Sequence, residues 1–448
     1  MPKLNNISIF GTSSDAGKST LTFVIGKILQ SFGYRVVPFK AQNVSNNAHV
    51  ADDSSEIAVA QAFQADVLGV PTSYHLNPIL LKSGTRNNAM LILKGKAIEN
   101  KDVRAYYREI DTLKPIVTEA FLHLDARYDC VIAEGAGSPV ELNLMDKDLS
   151  NIFIASSFHT KIILVADIEK GGVFASIWGV YNLLPPRLRE NVIGVIVNKF
   201  RGDMTLFEKG IEIIEKEFHI PVLGVLPFIP LNLGFEDSAS LKNFVQHKPH
   251  AQRKIAIIHY PTMSNYNDFE PLIADPDVLV EFVSTNMNLE PFESVILPGS
   301  KLVIKDLQWL KHTGLFAQLK TRKKEILGIC GGYEMLFNAI HDPFALENET
   351  PCVEEGLGWI DDVIVLHTEK TVHKGEYTIF GKTIKGFQIR HGRSEKYPLY
   401  YEKEHIKGTF VHGIFHDDAF KHYQNKSIDA FVAVMREHLD VQRILRAL

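Results

Sequence analysis

Two short stretches carry residue types whose spacing could do chemistry. The first, GTSSDAGKST, holds Gly11, Thr12, Asp15, Ala16, Gly17, Lys18, Ser19 and Thr20 between an apolar run, ISIF, and an amphipathic run over residues 19–32. Glycines let a chain turn its amides toward phosphate oxygens, and a helix starting there adds the positive end of its dipole. Lys18 would reach the terminal phosphates of a nucleotide, and the Ser19 hydroxyl would ligate Mg²⁺. The loop is one residue longer than the usual G-x4-G-K-[ST] spacing. The second stretch, KEILGICGGYEMLF, sets Cys330 between an apolar strand and a helical run, flanked by glycines. A tight strand–turn–helix bend exposes a nucleophile, and a helix start favours its thiolate. The amides of Gly331 and of Gly299 and Ser300 are natural donors to an oxyanion. A nucleophilic thiol needs a base, and His412, in KGTFVHGIF, ends a β-rich segment late in the chain.

Other residues extend the phosphate site. Glu134, in EGAGS, follows a strand and is a second Mg²⁺ partner; Asp52 and Asp53 are further candidates between which the sequence does not choose. IVNKF offers Asn198 and Lys199 near a strand end, where a nucleotide base would be recognised. Taken singly, a buried cysteine is usually inert and a strand-end histidine structural. A thiol in a GxCGG turn with a later histidine reads instead as a nucleophile and its base.

The elements that must position these groups follow from hydrophobic patterning. ISIF, YRVVPFK, YDCVIAEG, KIILVAD and NVIGVIVNKF are apolar, β-branched runs separated by amphipathic stretches. Continuous apolar strands alternating with helices mean a parallel sheet covered on both faces, an α/β fold. The pattern lapses over residues 231–253. A second βα series then runs through KIAIIHYP, VLVEFVS, ESVILPGS and KEILGICGG. At 448 residues the chain exceeds one ordinary core. The expectation is a P-loop domain over 1–235, a linker over 236–252 and a second domain over 253–448. A closing helix over residues 429–448 is expected to dock on its own domain. The net charge of −5 without a basic block leaves no electrostatic footprint for nucleic acid. Three cysteines, Cys130, Cys330 and Cys352, make no paired framework and point to a reducing compartment. No apolar run is long enough to span a membrane, so the cytoplasm is the expected location; a homo-oligomeric state is left open.

The extended phosphate loop resembles the dethiobiotin-synthetase branch of P-loop proteins, and the Cys–His order resembles class I glutamine amidotransferases, which implies a flavodoxin-like second domain. Nearly the whole chain resembles the cobyric acid synthase family, through GTSSDAGKST, PFKAQN, LNPILLK, GKAIENKDVRAYY, EGAGSPVELNL, VADIEKGGVFAS, IVNKFRGD, FEDS, SNYNDFEPL, ILPGSKLVIKDLQWL, GICGGYEMLF and TFVHGIF. The resemblance implies that glutamine is hydrolysed at Cys330 and ammonia passes to an ATP- and Mg²⁺-dependent synthetase site. There the b, d, e and g carboxylates of adenosylcobyrinic acid a,c-diamide would be phosphorylated and amidated. Lys40, Gln42, Asn43 and Asp167 would face nucleotide or this corrinoid. Class I enzymes usually carry Glu two residues after the histidine; Ile414 stands there, leaving a dyad or another orienter such as His416 or Asp417. Ser54, Ser55, Val59, Glu334, Gln388 and Arg390 also depart from the family's pattern. Two alternatives stay open: a sister amidoligase acting on another polycarboxylate such as cobyrinic acid, and a P-loop regulatory ATPase with an inactive glutaminase domain.

Overall fold

The chain is described by a computed structural model covering residues 3–83, 88–231, 233 and 244–448. The FEDS stretch and residues 236–243 of the expected linker lie outside the described residues.

The apolar runs of the first half become strands β1 (Ile7–Gly11), β2 (Val36–Phe39), β3 (Cys130–Glu134), β4 (Lys161–Asp167), β5 (Val192–Phe200) and β6 (Val222–Pro227). They pair in the order β6-β5-β4-β1-β3-β2, all parallel. Every residue of β1 and β3 is buried, as a sheet covered on both faces requires. Helix α1 (Lys18–Ser31) leaves the end of the central strand β1. The sites of such sheets form at the carboxyl ends of the strands, where Gly11, Glu134, Asp167 and Asn198 all fall.

The second half repeats this logic with β7 (Arg253–Ile258), β8 (Val278–Val283), β9 (Ser294–Leu297), β10 (Glu325–Ile329), β11 (Tyr400–Lys403) and β12 (Ile406–Thr409). Their order is β8-β7-β9-β10-β12-β11, parallel except at the β11–β12 edge. A long antiparallel pair, Ile360–Ile379 with Lys382–Arg393, lies against the first half. Phe387 and Ile389 from it share a buried cluster with Ala48, Val50, Leu80 and Ile92. Polar bonds cross the same junction: Asn265 Nδ2 donates to the Ala48 carbonyl at 3.1 Å, and Lys374 meets Asp52 at 2.7 Å.

The end of the chain departs from expectation. The residues read as one closing helix belong to two, α2 (Asp418–Glu437) and α3 (Val441–Ala447), and they do not dock on the second domain. Phe420, Ile428, Phe431, Met435, Leu439 and Ile444 join Ile9, Phe23 and Ile25 in the core of the first, and the Asp440 amide donates to the Leu223 carbonyl at 2.8 Å. An amphipathic pattern declares that a face must be covered, not by what. Among the described residues no helix is long and apolar enough to cross a membrane.

Candidate functional site

The first site forms where β1 turns into α1. Gly17 sits at φ 100°, a left-handed conformation that costs glycine little; a Cβ there would also lie 2.2 Å from the Asn198 amide nitrogen. Lys18 folds back over the loop, donating to the carbonyls of Gly137 at 3.0 Å and Ser13 at 3.2 Å. Across the sheet, Asn198 Nδ2 donates to the Ala16 carbonyl at 2.9 Å. Lys199 Nζ reaches both the Asp15 carbonyl at 2.6 Å and Asp167 Oδ2 at 2.9 Å. The residues expected to touch base and phosphate are thus gathered around one loop.

Glu134, at the end of β3 and 1% exposed, is the hub beneath it. Its Oε1 accepts from Ser19 Oγ at 2.9 Å and from Lys40 Nζ at 2.6 Å, and its Oε2 from Gln64 Nε2 at 2.7 Å. Among the described residues no group of three or more His, Cys, Asp or Glu could hold a metal ion. The pair of hard oxygens on Ser19 and Glu134 nonetheless fits Mg²⁺, which takes one or two protein ligands and completes its shell with phosphate oxygens and water. Asp52 and Asp53 do not join them. Asp53 accepts from the Ser55 and Tyr74 amides, and Asp52 from the Thr72 amide and Lys374, so both belong to a turn and the domain junction. Of the other candidates, Asn43 bonds Gln61 at 3.0 Å and the Gln42 amide bonds Ser150 at 3.2 Å.

The second site forms where β10 turns at Cys330. That residue has φ 51° and ψ −112°, a strained conformation for a side chain with a Cβ. The neighbouring glycines allow it: a Cβ on Gly332 would lie 1.9 Å from the Leu297 carbonyl oxygen, and one on Gly331 2.8 Å from the Ser300 nitrogen. The Gly331 turn and the Gly299–Ser300 segment therefore meet, with Gly299 against the His412 ring.

His412 is 1% exposed, and its Nδ1 donates to Asp268 Oδ2 at 2.7 Å; Asp268 Oδ1 accepts the Gly413 amide at 3.0 Å. Burial opposes charge on the ring, but Asp268 and the Cys330 thiolate outweigh it and raise His412 to about 10. Burial likewise pushes the Cys330 thiol up, and His412, Arg390 and the Gly331 amide reverse this, leaving it below its usual range. Each group thus favours the charged form of the other, thiolate beside imidazolium. Asp268 is the residue that sequence reasoning missed. Of the two residues considered for its place, Asp417 instead caps α2 by accepting the Phe420 amide at 2.7 Å, and His416 lines a pocket beside Asp268. The signal available was an acidic residue in the SNYNDF stretch, but nothing local ties it to a histidine 144 residues away.

Two departures from the family's pattern prove to be neighbours of this thiol. Glu334 and Arg390 line the Cys330 cavity, and burial holds the Glu334 carboxyl well above its ordinary value. Their position bears on what binds beside Cys330.

Two family models match the chain. Residues 7–237 match the CobQ/CobB/MinD/ParA nucleotide binding domain, and residues 254–420 the CobB/CobQ-like glutamine amidotransferase domain. A cobyric acid synthase of Acinetobacter baylyi is 61% identical over 99% of this chain and 99% of its own length. Another from Anoxybacillus flavithermus is 39% identical over 92% of this chain and 86% of its own. A solved glutamine amidotransferase overlays 39% of this chain and 98% of its own at 13% identity, with a TM-score of 0.29. The chain belongs to the cobyric acid synthase family of glutamine amidotransferase ligases.

Proposed function

We propose that the chain makes cobyric acid by amidating the b, d, e and g carboxylates of adenosylcobyrinic acid a,c-diamide, with glutamine as nitrogen donor and ATP as activator. The observation that carries the reading is the Cys330–His412–Asp268 line, buried against a half whose phosphate loop is built for a nucleotide.

In the glutaminase half, the Cys330 thiolate attacks the glutamine amide carbon, and the amides of Gly331 and Ser300 are suited to the developing oxyanion. His412 gives its proton to the leaving nitrogen, the C–N bond breaks, and ammonia departs. Water, deprotonated by His412, then cleaves the thioester to glutamate and restores the thiolate. Asp268 holds the ring's tautomer and its charge.

In the synthetase half, a carboxylate oxygen takes the γ-phosphoryl group of ATP, because a carboxylate is a poor electrophile until its oxygen can leave. Ammonia attacks the acyl carbon, phosphate leaves, and the nitrogen loses a proton. Lys18 draws the transferred phosphoryl group, and Lys199 and Asn198 brace the loop. Mg²⁺ held by Ser19 and Glu134 would neutralise phosphate charge.

The test is product mass analysis after incubation with glutamine, ATP, Mg²⁺ and the diamide. Successive conversions of OH to NH₂, ending at cobyric acid, are expected. Turnover of cobyrinic acid alone, with the a,c-diamide untouched, would overturn the substrate assignment.

A further inference from the structure

The glutaminase half needs its Ser300 amide held where an oxyanion will form, and the backbone ties that segment down at few points. Gly299–Ser300 pairs with Met263–Ser264 as an antiparallel ladder of two residues a side, too short to be rigid by itself. A ladder bond runs from the Lys301 amide to the Thr262 carbonyl at 2.9 Å. In an antiparallel pair that register turns the Ser300 amide away from the partner strand. A Cβ on Gly331 would lie 2.8 Å from the Ser300 nitrogen, so the two candidate oxyanion donors are neighbours.

Asp306 supplies a firmer hold. It lies in the first turn of the helix Val303–Thr313 and is 1% exposed. Its Oδ2 accepts from Ser300 Oγ and from Thr262 Oγ1, each at 2.6 Å, and its Oδ1 from the Thr262 amide at 3.1 Å. Thr262 Oγ1 in turn accepts from the Leu302 amide at 3.0 Å. One carboxylate thus clamps the two strands together and fixes the segment that leads from them into the helix. Burying a carboxylate among neutral donors is costly. Burial pushes the group up to about 6, and the bonds from Ser300 and Thr262 oppose that shift, so at neutral pH it remains an acceptor. A helix that needed only to be covered would carry an apolar residue here, as this one does at Leu307 and Leu310, both fully buried.

We propose that Asp306 is a positioning residue for glutamine hydrolysis: by clamping Ser300 Oγ and Thr262 it aims the Ser300 amide at the oxyanion that forms when Cys330 attacks. The inference rests on the amidotransferase reading above. The Ser300 hydroxyl is spent on the clamp, so the segment offers the oxyanion its backbone donor and not its side chain. That donor matters most once the carbonyl oxygen carries charge, so the clamp acts on turnover more than on glutamine binding.

The test uses Asp306→Ala, Ser300→Ala and the double variant in the full chain. Ser300→Ala keeps the backbone amide and removes only the hydroxyl, so it reads the clamp even where Asp306→Ala fails to fold. Glutaminase kcat should fall about 10- to 100-fold in each, with KM for glutamine within about twofold of wild type. The double variant should be no more than about twofold slower than the slower single, since all three cut one contact. Iodoacetamide labelling of Cys330 develops no oxyanion, so its rate should stay within about twofold of wild type. A kcat within about twofold of wild type in Ser300→Ala, or in a folded Asp306→Ala, would overturn the clamp. So would labelling that falls in step with kcat, which would make the contact a prop for the whole turn, and so would single effects that multiply in the double variant. A wild type without glutaminase activity would instead sink the underlying reading, a result distinct from these.

Discussion

The two strand-to-helix turns do similar jobs by opposite means. At Gly17 the loop is held by polar side chains: Lys18 on the Gly137 and Ser13 carbonyls, Asn198 on Ala16, Lys199 on Asp15. At Cys330 the turn is held by backbone crowding, with Leu297 and Ser300 pressed against glycines that admit no Cβ. The lysines of the first turn satisfy themselves on carbonyls that a triphosphate would displace, so the loop can reshape around its ligand. The second turn cannot relax without losing its packing, so its nucleophile and oxyanion donors are set in advance. A site that must release a multiply charged nucleotide suits exchangeable contacts; a covalent site suits a fixed one.

Substitutions at the two turns can break that contrast. Cys330→Ala should lower glutamine-driven amidation on the order of 10⁴- to 10⁶-fold and leave ammonia-driven amidation intact; loss of both would mean that the halves do not work separately. Asp268→Asn should cut glutaminase by about 10³-fold through the wrong ring tautomer. Its pH signature is directional. The His412 charge persists toward its value of about 10 and keeps Cys330 ionised below the ordinary thiol range. Iodoacetamide labelling of wild type should therefore fall away only as pH drops through that depressed value. Without the Asp268 charge His412 deprotonates earlier, the thiol's value rises, and the labelling midpoint should move to higher pH; an unmoved midpoint would remove Asp268 from the triad. Lys18→Ala should slow amidation from either nitrogen source by about 10²-fold while glutaminase persists, since no part of the Cys330 turn leans on it.

How legible these features were in the sequence follows the same contrast. Both turns could be read because strand, glycine and helix signals sit within a dozen neighbouring residues, and local sterics decide the conformation. Glu134 was readable as a strand-end acid beside a Gly-Ala-Gly bend. Asp268 was not, because its partner is brought to it by the β7–β12 sheet and not by spacing. Asp53 misled for the converse reason: an acidic pair in a polar loop looks like a ligand until the Ser55 and Tyr74 amides are seen to occupy it. The α/β class came from buried strands whose composition needs no partner to interpret. The docking of α2 needed the partner's surface, which no periodicity contains.

That docking sharpens the comparison one step further, because the last helices of the glutaminase half complete the core of the synthetase half. Met435 is 3% exposed among Phe23, Ile25 and Leu439. Met435→Ala removes a buried thioether and leaves a cavity, so urea unfolding should lose about 2–4 kcal/mol, carried by the transition that exposes the first half. A loss confined to the glutaminase transition would return the helix to the second domain. Arg443 on α3 reaches Glu215 at 2.6 Å, but both side chains are more than a third exposed. Solvent screens such a pair, and Arg443→Ala should cost under about 1 kcal/mol. If Arg443→Ala cost as much as Met435→Ala, the C-terminal helices would be held to the first half by charge; the smaller value means they are held by the apolar face that α2 presents to α1.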